Sequence, residues 1–369
     1  MYRTLRYHLT PSPWPRSGDD SAVRVSELAT LAADADRSDG DRLDVLLTVD
    51  TEASIAGTFA DPQRNAPILH PMVAAEVDAR SEGLGFLLRT LADCRLRATF
   101  FVEALQTRYF GTDPMRRYVD EIAAGGQDVQ LHVHPCWRNF AAGRLLSTAP
   151  ADHSTGRPVD ELRQIFEEAV QHFEAWGQGA PVAVRTGSFS VGLDTYRALE
   201  DAGLRIASNV SLALNPPQDP ALHFHYHYQR VGGVLEVPLT PIATYRVAGQ
   251  PAFRPLTITA CSTEEFTGAL RQASQQRFDM VCLLTHPFEF VTRDRDSGLP
   301  RRVNATNQRR FRDLCAFLSN NPQRYRVITF SDLARREQVP IGRSDGSLRG
   351  SYLSMLRRSA ANLLTDHIG

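Results

Sequence analysis

Two short polar segments directly follow apolar runs, and their residue types could bind a metal and move protons. Asp50-Thr51-Glu52 follows the run 43–49, and His132-Val133-His134-Pro135 follows the run 128–131. Side chains two positions apart on a strand point to the same face, so each segment can present a pair of side chains to one point. Two carboxylates and two imidazoles at strand ends could hold one divalent ion and supply a base. The chemistry that suits such a site is metal-assisted hydrolysis.

The elements that must position these segments alternate along the chain. Further strands are predicted at 97–102, 181–185, 205–208, 223–228, 234–237, 279–285 and 325–329, and helices at 72–93, 113–124, 158–176, 192–202 and 305–319. This alternation predicts a parallel α/β architecture. Arg185 and His286 also come at the ends of predicted strands. In a barrel of parallel strands that end is the active face, so the polar candidates are expected on one face.

The flanking regions differ from this alternating part. Residues 1–41 are polar and rich in proline and aspartate, which predicts an extension outside the core. Residues 42–335 form the predicted barrel domain, in which the polar loop 54–71 is long enough to cover the site. In the tail, 336–369, apolar residues at helical spacing predict an amphipathic helix that packs on its own domain or on a partner subunit. A homo-oligomer formed through this helix is therefore a hypothesis.

Composition excludes several classes of protein. The 369 residues carry a net charge of −1, which gives no argument for binding nucleic acid or an anionic membrane. The N-terminal residues lack the apolar core of a signal peptide, and no apolar run approaches the length of a membrane span. Five scattered cysteines without a CxxC motif argue against a disulfide framework. A soluble cytoplasmic protein is expected.

Five segments, taken in their order along the chain, resemble the polysaccharide deacetylase superfamily, also called the chitooligosaccharide deacetylase-like group. They are Thr48-Val49-Asp50-Thr51-Glu52, Ala98-Thr99-Phe100-Phe101-Val102, Gln130-Leu131-His132-Val133-His134-Pro135, Val184-Arg185-Thr186-Gly187 and Leu284-Thr285-His286. The resemblance spans roughly residues 42–335. It implies a distorted (β/α)7 barrel, one Zn²⁺ or similar divalent ion, and removal of N- or O-linked acyl groups from sugars.

The resemblance also implies a role for each candidate residue. By position Asp50 matches the family's catalytic base and Glu52 its metal-binding carboxylate. Arg185 matches the arginine that pairs with the base and orients it. His286 matches the histidine that acts as general acid. The family's two carboxylates are adjacent, whereas here one residue separates them, so either of the two could be the metal ligand.

The histidine motif departs from the family pattern as well. The family's two metal-binding histidines are four residues apart, but His132 and His134 are two apart. Strand geometry places both on one face, which favours them as the ligands. Cys136 stands four residues after His132 and is an alternative ligand, since a thiolate also suits zinc.

Together these observations predict a metal-dependent hydrolase that removes an acyl group, most simply acetyl, from an amino sugar of a glycan or a cytoplasmic glycan precursor. One alternative is a non-catalytic carbohydrate-binding relative. Another is an amidohydrolase-type barrel acting on a non-sugar amide, although there the HxH motif belongs to the first strand. The alternating histidines His223, His225 and His227 could form a second metal site or the polar face of a half-exposed strand.

Overall fold

Seven parallel strands form the curled sheet at the centre of the fold. In chain order they are β1 (Leu43–Thr51), β2 (Thr99–Glu103), β3 (Asp128–Val133), β4 (Ala183–Thr186), β5 (Ile206–Ala207), β6 (Val234–Glu236) and β7 (Met280–Thr285). Strands β1 to β6 pair in that order, and β7 pairs with the other edge of β1. After β6, the Thr240 N–H donates to the Cys282 carbonyl at 3.1 Å, which brings the two ends of the sheet together. The architecture is the distorted (β/α)7 barrel that the resemblance implied.

The computed structural model describes residues 42–149, 152–247, 250–294, 298–342 and 346–350. The extension 1–41 and most of the tail, with its predicted helix, lie outside the described residues. The helices are α1 (His70–Val73), α2 (Leu84–Cys94), α3 (Thr107–Phe110), α4 (Asp113–Ala124), α5 (Val159–Glu174), α6 (Leu193–Asp201), α7 (Thr263–Gln275), α8 (Ala305–Ser319) and α9 (Phe330–Ala334). None of these described helices is both long and apolar enough to cross a membrane.

Short strands complete the fold at the edges and loops of the barrel. Gln229–Val231 pairs antiparallel with β6, and Tyr325–Val327 pairs parallel with the start of β1. Four hairpins lie outside the barrel: Glu76–Val77 with Arg80–Ser81, Phe140–Ala141 with Arg144–Leu145, Pro241–Val247 with Gln250–Pro255, and Val291–Arg293 with Pro300–Val303.

Alternation along β1 separates two cores and aims the polar residues inward. Val45, Leu47 and Val49 belong to the larger apolar cluster beneath the helices, whereas Leu46 belongs to the cluster inside the barrel. Asp50 has the same parity as Leu46, so it faces the interior. The nine residues of β1 are all buried, and the strand therefore holds this carboxylate rigidly at its carboxyl end.

Two sequence predictions about the elements were wrong, and one helix was not predicted. The helix predicted over 72–93 is broken into α1, a small hairpin and α2, because Ala75, Asp78 and Ala79 adopt φ values of 47°, 50° and 57°. Residues 223–228 form no strand, since Tyr226 has a φ of 70° and breaks the alternation. Helix α7 was missed although Ser262 and Glu265 form a capping box at its start.

A buried carboxylate fixes the loops that follow β5 and β6. Both oxygens of Glu236 are used: Oε1 accepts from the Asn209 and Val210 N–H groups at 2.6 and 2.9 Å, and Oε2 accepts from the Tyr196 hydroxyl at 2.9 Å. The residue is fully buried. Its removal leaves three donors without an acceptor in a place that water does not reach.

We expect Glu236→Ala to lower the free energy of unfolding by about 3 kcal/mol, because each buried unpaired donor costs about 1–3 kcal/mol. Urea denaturation followed by circular dichroism measures the change. Glu200→Ala is the matched control, since that exposed carboxylate accepts one exposed backbone bond from Gly233, and we expect it to cost less than about 1 kcal/mol. Equal effects of the two substitutions would contradict the role given to Glu236.

Candidate active site and metal centre

Three of the predicted side chains converge where β1 and β3 end. Glu52 Oε2 lies 2.7 Å from His134 Nε2 and 3.3 Å from His132 Nε2. Nitrogen and oxygen ligands lie about 2.0–2.2 Å from a zinc ion. The carboxylate oxygen and the two ring nitrogens are therefore close enough to one another to bind the same ion. Within the described chain, Glu52, His132 and His134 form one of two groups whose ligand atoms are close enough to hold a metal.

The second ring nitrogen of each histidine has its own partner, and this fixes the ring orientation. His132 Nδ1 lies 2.9 Å from the Arg185 carbonyl oxygen, to which it donates. His134 Nδ1 lies 2.9 Å from Asp152 Oδ2 and donates there. Both Nε2 atoms consequently face Glu52. Histidine ligands of metals are commonly held by such a carbonyl or carboxylate, so the donor set fits a divalent ion.

Opposite charges stabilise each other within this cluster. Burial opposes ionisation of Glu52, yet His134 and His132 hold the pKa of that carboxyl well below its usual range. Burial would likewise lower the pKa of His134, but Asp152 and Glu52 raise it well above the ordinary value. The three facing atoms, one carboxylate oxygen and two imidazole nitrogens, are of the kinds that bind divalent cations in proteins, so these residues fit a metal ion.

Asp50 lies in the barrel interior and is paired with Arg185. The Arg185 Nη1–H donates to Asp50 Oδ1 at 2.6 Å and to Thr48 Oγ1 at 3.0 Å. Among the residues that the structure describes, no group donates to the second oxygen of Asp50. The geometry therefore fixes the carboxylate through one oxygen and leaves the other for a proton or a water molecule.

His286 follows β7 and is paired with a carboxylate on its own turn. Its Nδ1 lies 3.0 Å from Glu289 Oε1, and Glu289 Oε2 accepts from the Thr285 hydroxyl at 2.7 Å. Burial would lower the pKa of His286, but Glu289, Glu52 and Asp50 raise it to about 9. The imidazole is thus charged near neutrality and lies within electrostatic reach of both Asp50 and Glu52.

The structure therefore brings the six predicted residues to the carboxyl ends of β1, β3, β4 and β7, while their roles remain predictions. Cys136 lies on the Nδ1 side of His134, grouped with Asp152 and not with Glu52. Its position argues against the thiol as a ligand of the ion that Glu52 would hold. Neither of the two metal-capable groups in the described chain includes the alternating histidines at 223, 225 and 227.

Sequence reasoning missed two partners, Asp152 and Glu289. Asp152 comes from the long connection after β3, and nothing in its local sequence marks it. Glu289 could have been found from the sequence. It stands three residues after His286, with a proline between them, and this matches a capping box in which the Glu side chain accepts from the backbone N–H of the N-cap residue. Burial raises the pKa of Asp152, but the charge and hydrogen bond of His134 lower it further, so the pKa of that carboxyl falls to about 2.

Gly187 is required by the position of His134. A Cβ atom on Gly187 would lie 2.2 Å from His134 Nδ1 and 2.5 Å from its Cγ, well inside van der Waals contact. The imidazole packs directly against this backbone, between Gly187 and its partner Asp152. Any side chain at 187 must therefore displace the ring from the Glu52 cluster.

We expect Gly187→Ala to weaken zinc binding at least about tenfold, the size of effect seen when groups that orient a metal ligand are lost. Calorimetric titration of the metal-free protein with Zn²⁺ measures this. Gly192→Ala serves as control, because a Cβ there meets only the Thr155 methyl at 3.9 Å. Unchanged zinc affinity in the Gly187 variant would show that His134 is not a ligand.

Comparison with known proteins identifies the fold. No protein-family profile and no curated protein matches this chain. Among solved structures, a protein from Mycobacterium smegmatis assigned as a polysaccharide deacetylase is 16% identical with a TM-score of 0.51, covering 85% of this chain and 98% of that one. A family 4 carbohydrate esterase from Streptomyces lividans in complex with acetate is 12% identical with a TM-score of 0.38, covering 80% and 97%. A CE4 family pseudoenzyme from Bacillus anthracis is 12% identical with a TM-score of 0.39, covering 85% and 71%.

The likeness to the M. smegmatis protein extends over most of both chains and establishes the architecture. Identities this low say nothing about activity, because one fold can host many functions. The chain therefore shares the fold of that protein, which is the fold that the sequence motifs implied.

Proposed function

We propose that this protein is a metal-dependent hydrolase that removes an acetyl group from an amino sugar of a glycan or glycan precursor. The observation that carries the proposal is the convergence of Glu52, His132 and His134 beside the Asp50–Arg185 pair. Such a set offers three candidate metal ligands and an oriented base, which is the arrangement of a catalytic zinc site. The choice of a sugar substrate rests on the resemblance of the five sequence motifs to the polysaccharide deacetylase superfamily.

A bound divalent ion supplies a Lewis acid that polarises the acyl carbonyl and lowers the pKa of a nearby water. Glu52, His132 and His134 would hold it. Asp50 accepts the proton of the attacking water through its second oxygen. Arg185 fixes the rotamer of Asp50, because the guanidinium donates to the first oxygen at 2.6 Å.

His286 donates a proton to the departing amine in this scheme. Its pairing with Glu289 keeps the ring protonated at neutral pH, so the proton is available when the carbon–nitrogen bond breaks. The Glu289 carboxylate also sets which ring nitrogen faces the substrate, because Nδ1 is bonded to it. Base and acid therefore enter from different strands, Asp50 from β1 and His286 from the end of β7.

The direct test is acetate release from N-acetylglucosamine oligomers by the zinc-loaded full chain. We expect Asp50→Asn to lower kcat at least about 100-fold, the usual contribution of a general base, with zinc content unchanged. A His132→Ala/His134→Ala double variant should lose both zinc and activity. The control His172→Ala removes a histidine on α5, outside the site, and should alter neither.

Two results would reject the proposal. Acetate release that persists in the presence of a chelator that strips the metal would remove the mechanism. Stoichiometric zinc in the double histidine variant would show that the ligands are assigned wrongly. A protein that binds the oligomers but holds no zinc and releases no acetate would instead be a carbohydrate-binding relative.

The pH dependence should report the His286–Glu289 pair. Since activity requires the imidazolium, it falls as pH rises through the pKa of His286, about 9 in the metal-free protein. Glu289→Gln removes the main charge that raises this pKa, so the alkaline limb of the kcat/KM profile should move down by about one pH unit or more. The exposed residue Glu174, changed to Gln, is the control. An alkaline limb that stays in place would exclude His286 as the acid.

A further inference from the structure

One cation beside the site forms no ion pair with the residues that the structure describes. Arg293 lies on the strand Val291–Arg293, and its guanidinium carbon lies 4.9 Å from the centroid of the Phe288 ring. The other neighbour of Phe288 is His286, whose ring stacks on it at 4.8 Å with 26° between the planes. The Arg293–Phe288 distance is that of a cation–π contact. The Phe288 ring lies between the two other groups, so the guanidinium is within roughly 10 Å of the proposed acid.

The polar contacts of Arg293 are weak. Nη1 lies 3.2 Å from the Met72 sulfur, which is a poor acceptor. In the part of the chain that the structure describes, no carboxylate forms an ion pair with this guanidinium. The carboxylate that acts on it electrostatically is Glu289, which is already bonded to His286 and Thr285. By contrast, Arg108 and Arg138 on the β3 side of the barrel both pair with Glu168.

A β-bulge changes the direction of the strand at Arg293. The pairing of Val291–Arg293 with Pro300–Val303 shifts register between Thr292 and Arg293. Such a bulge redirects a side chain and is common beside active sites. Met72 belongs to α1, which packs against the turn that carries His286 and Phe288, so Arg293 reaches across two segments at the rim of the site. The residue is nevertheless exposed.

We propose that Arg293, stacked on Phe288, is a specificity-determining residue that binds an anionic group of the substrate, a carboxylate or a phosphate on the acetylated sugar or on the unit next to it. The planar fork of a guanidinium matches both anions with two parallel hydrogen bonds. The ring beneath it holds the side chain in place and presents an apolar face to a sugar ring. This inference rests on the proposed function for the identity of the ligand as a sugar.

The test compares a neutral sugar with two related sugars that carry an added carboxylate or phosphate group. Binding of N-acetylglucosamine, N-acetylmuramic acid and N-acetylglucosamine 1-phosphate to the full chain is measured by calorimetry, and acetate release from each is measured in parallel. We expect Arg293→Gln to weaken binding of at least one anionic sugar about tenfold or more, the usual value of a charged hydrogen bond. Binding of the neutral sugar should change less than about twofold, and Arg293→Lys should restore part of the loss.

Arg230→Gln is the matched control. Arg230 is an exposed arginine at the opposite end of the barrel, on the strand that pairs with β6, so its loss changes the net charge equally. Comparison of N-acetylmuramic acid with N-acetylglucosamine 1-phosphate shows whether the subsite binds a carboxylate or a phosphate. Equal effects of the two substitutions would mean that only overall charge matters, and would overturn the proposal.

The outcomes separate this inference from the proposed function. An Arg293-dependent preference for an anionic sugar without acetate release supports the subsite and rejects the deacetylase. Acetate release without any such preference rejects the subsite and leaves the deacetylase in place. Failure of all three sugars to bind at millimolar concentration would also reject the subsite.

Discussion

The structure depends on one buried cation, the guanidinium of Arg185. Its side chain is fully buried inside the barrel and bonds Asp50 and Thr48 on β1 and Ser208 after β5. Its own carbonyl accepts from His132 on β3. A single residue on β4 therefore orients both the proposed base and one proposed metal ligand, through its side chain and its main chain respectively.

Such an arrangement is costly, and the surroundings show how the cost is offset. A charge removed from water is tolerated when it is paired and its donors are used. Asp50 neutralises Arg185 at 2.6 Å, the Ser208 carbonyl and hydroxyl take two further donors, and the Phe101 ring lies 4.3 Å from the guanidinium carbon. Replacing either charged partner alone would leave the other unpaired in the interior. The pair therefore restricts which substitutions β1 and β4 can accept.

The sequence was sufficient for the parts of the site that strand periodicity controls. Two-residue spacing on apolar strands predicted that Asp50 and Glu52, and likewise His132 and His134, would be presented together. The order of the motifs predicted the barrel, and strand β3 and helix α8 have the predicted bounds. What escaped prediction depends on backbone dihedrals and long connections. Asp152 reaches His134 from an irregular segment, and the break between α1 and α2 arises from positive φ angles at Ala75, Asp78 and Ala79, where the two alanines give no turn signal.

The turn after β7 has a mechanical consequence. His286 directly precedes the short 3₁₀ segment Pro287–Phe290, which contains Phe288 and Glu289, and the Glu289 carboxylate is bonded to the His286 main-chain N–H as well as to its ring. The imidazole and its counter-ion are therefore held together by one turn. If this turn shifts relative to the barrel, the effect of Glu289 on the pKa of His286 moves with it, whereas the effects of Glu52 and Asp50 change with their distance from the ring.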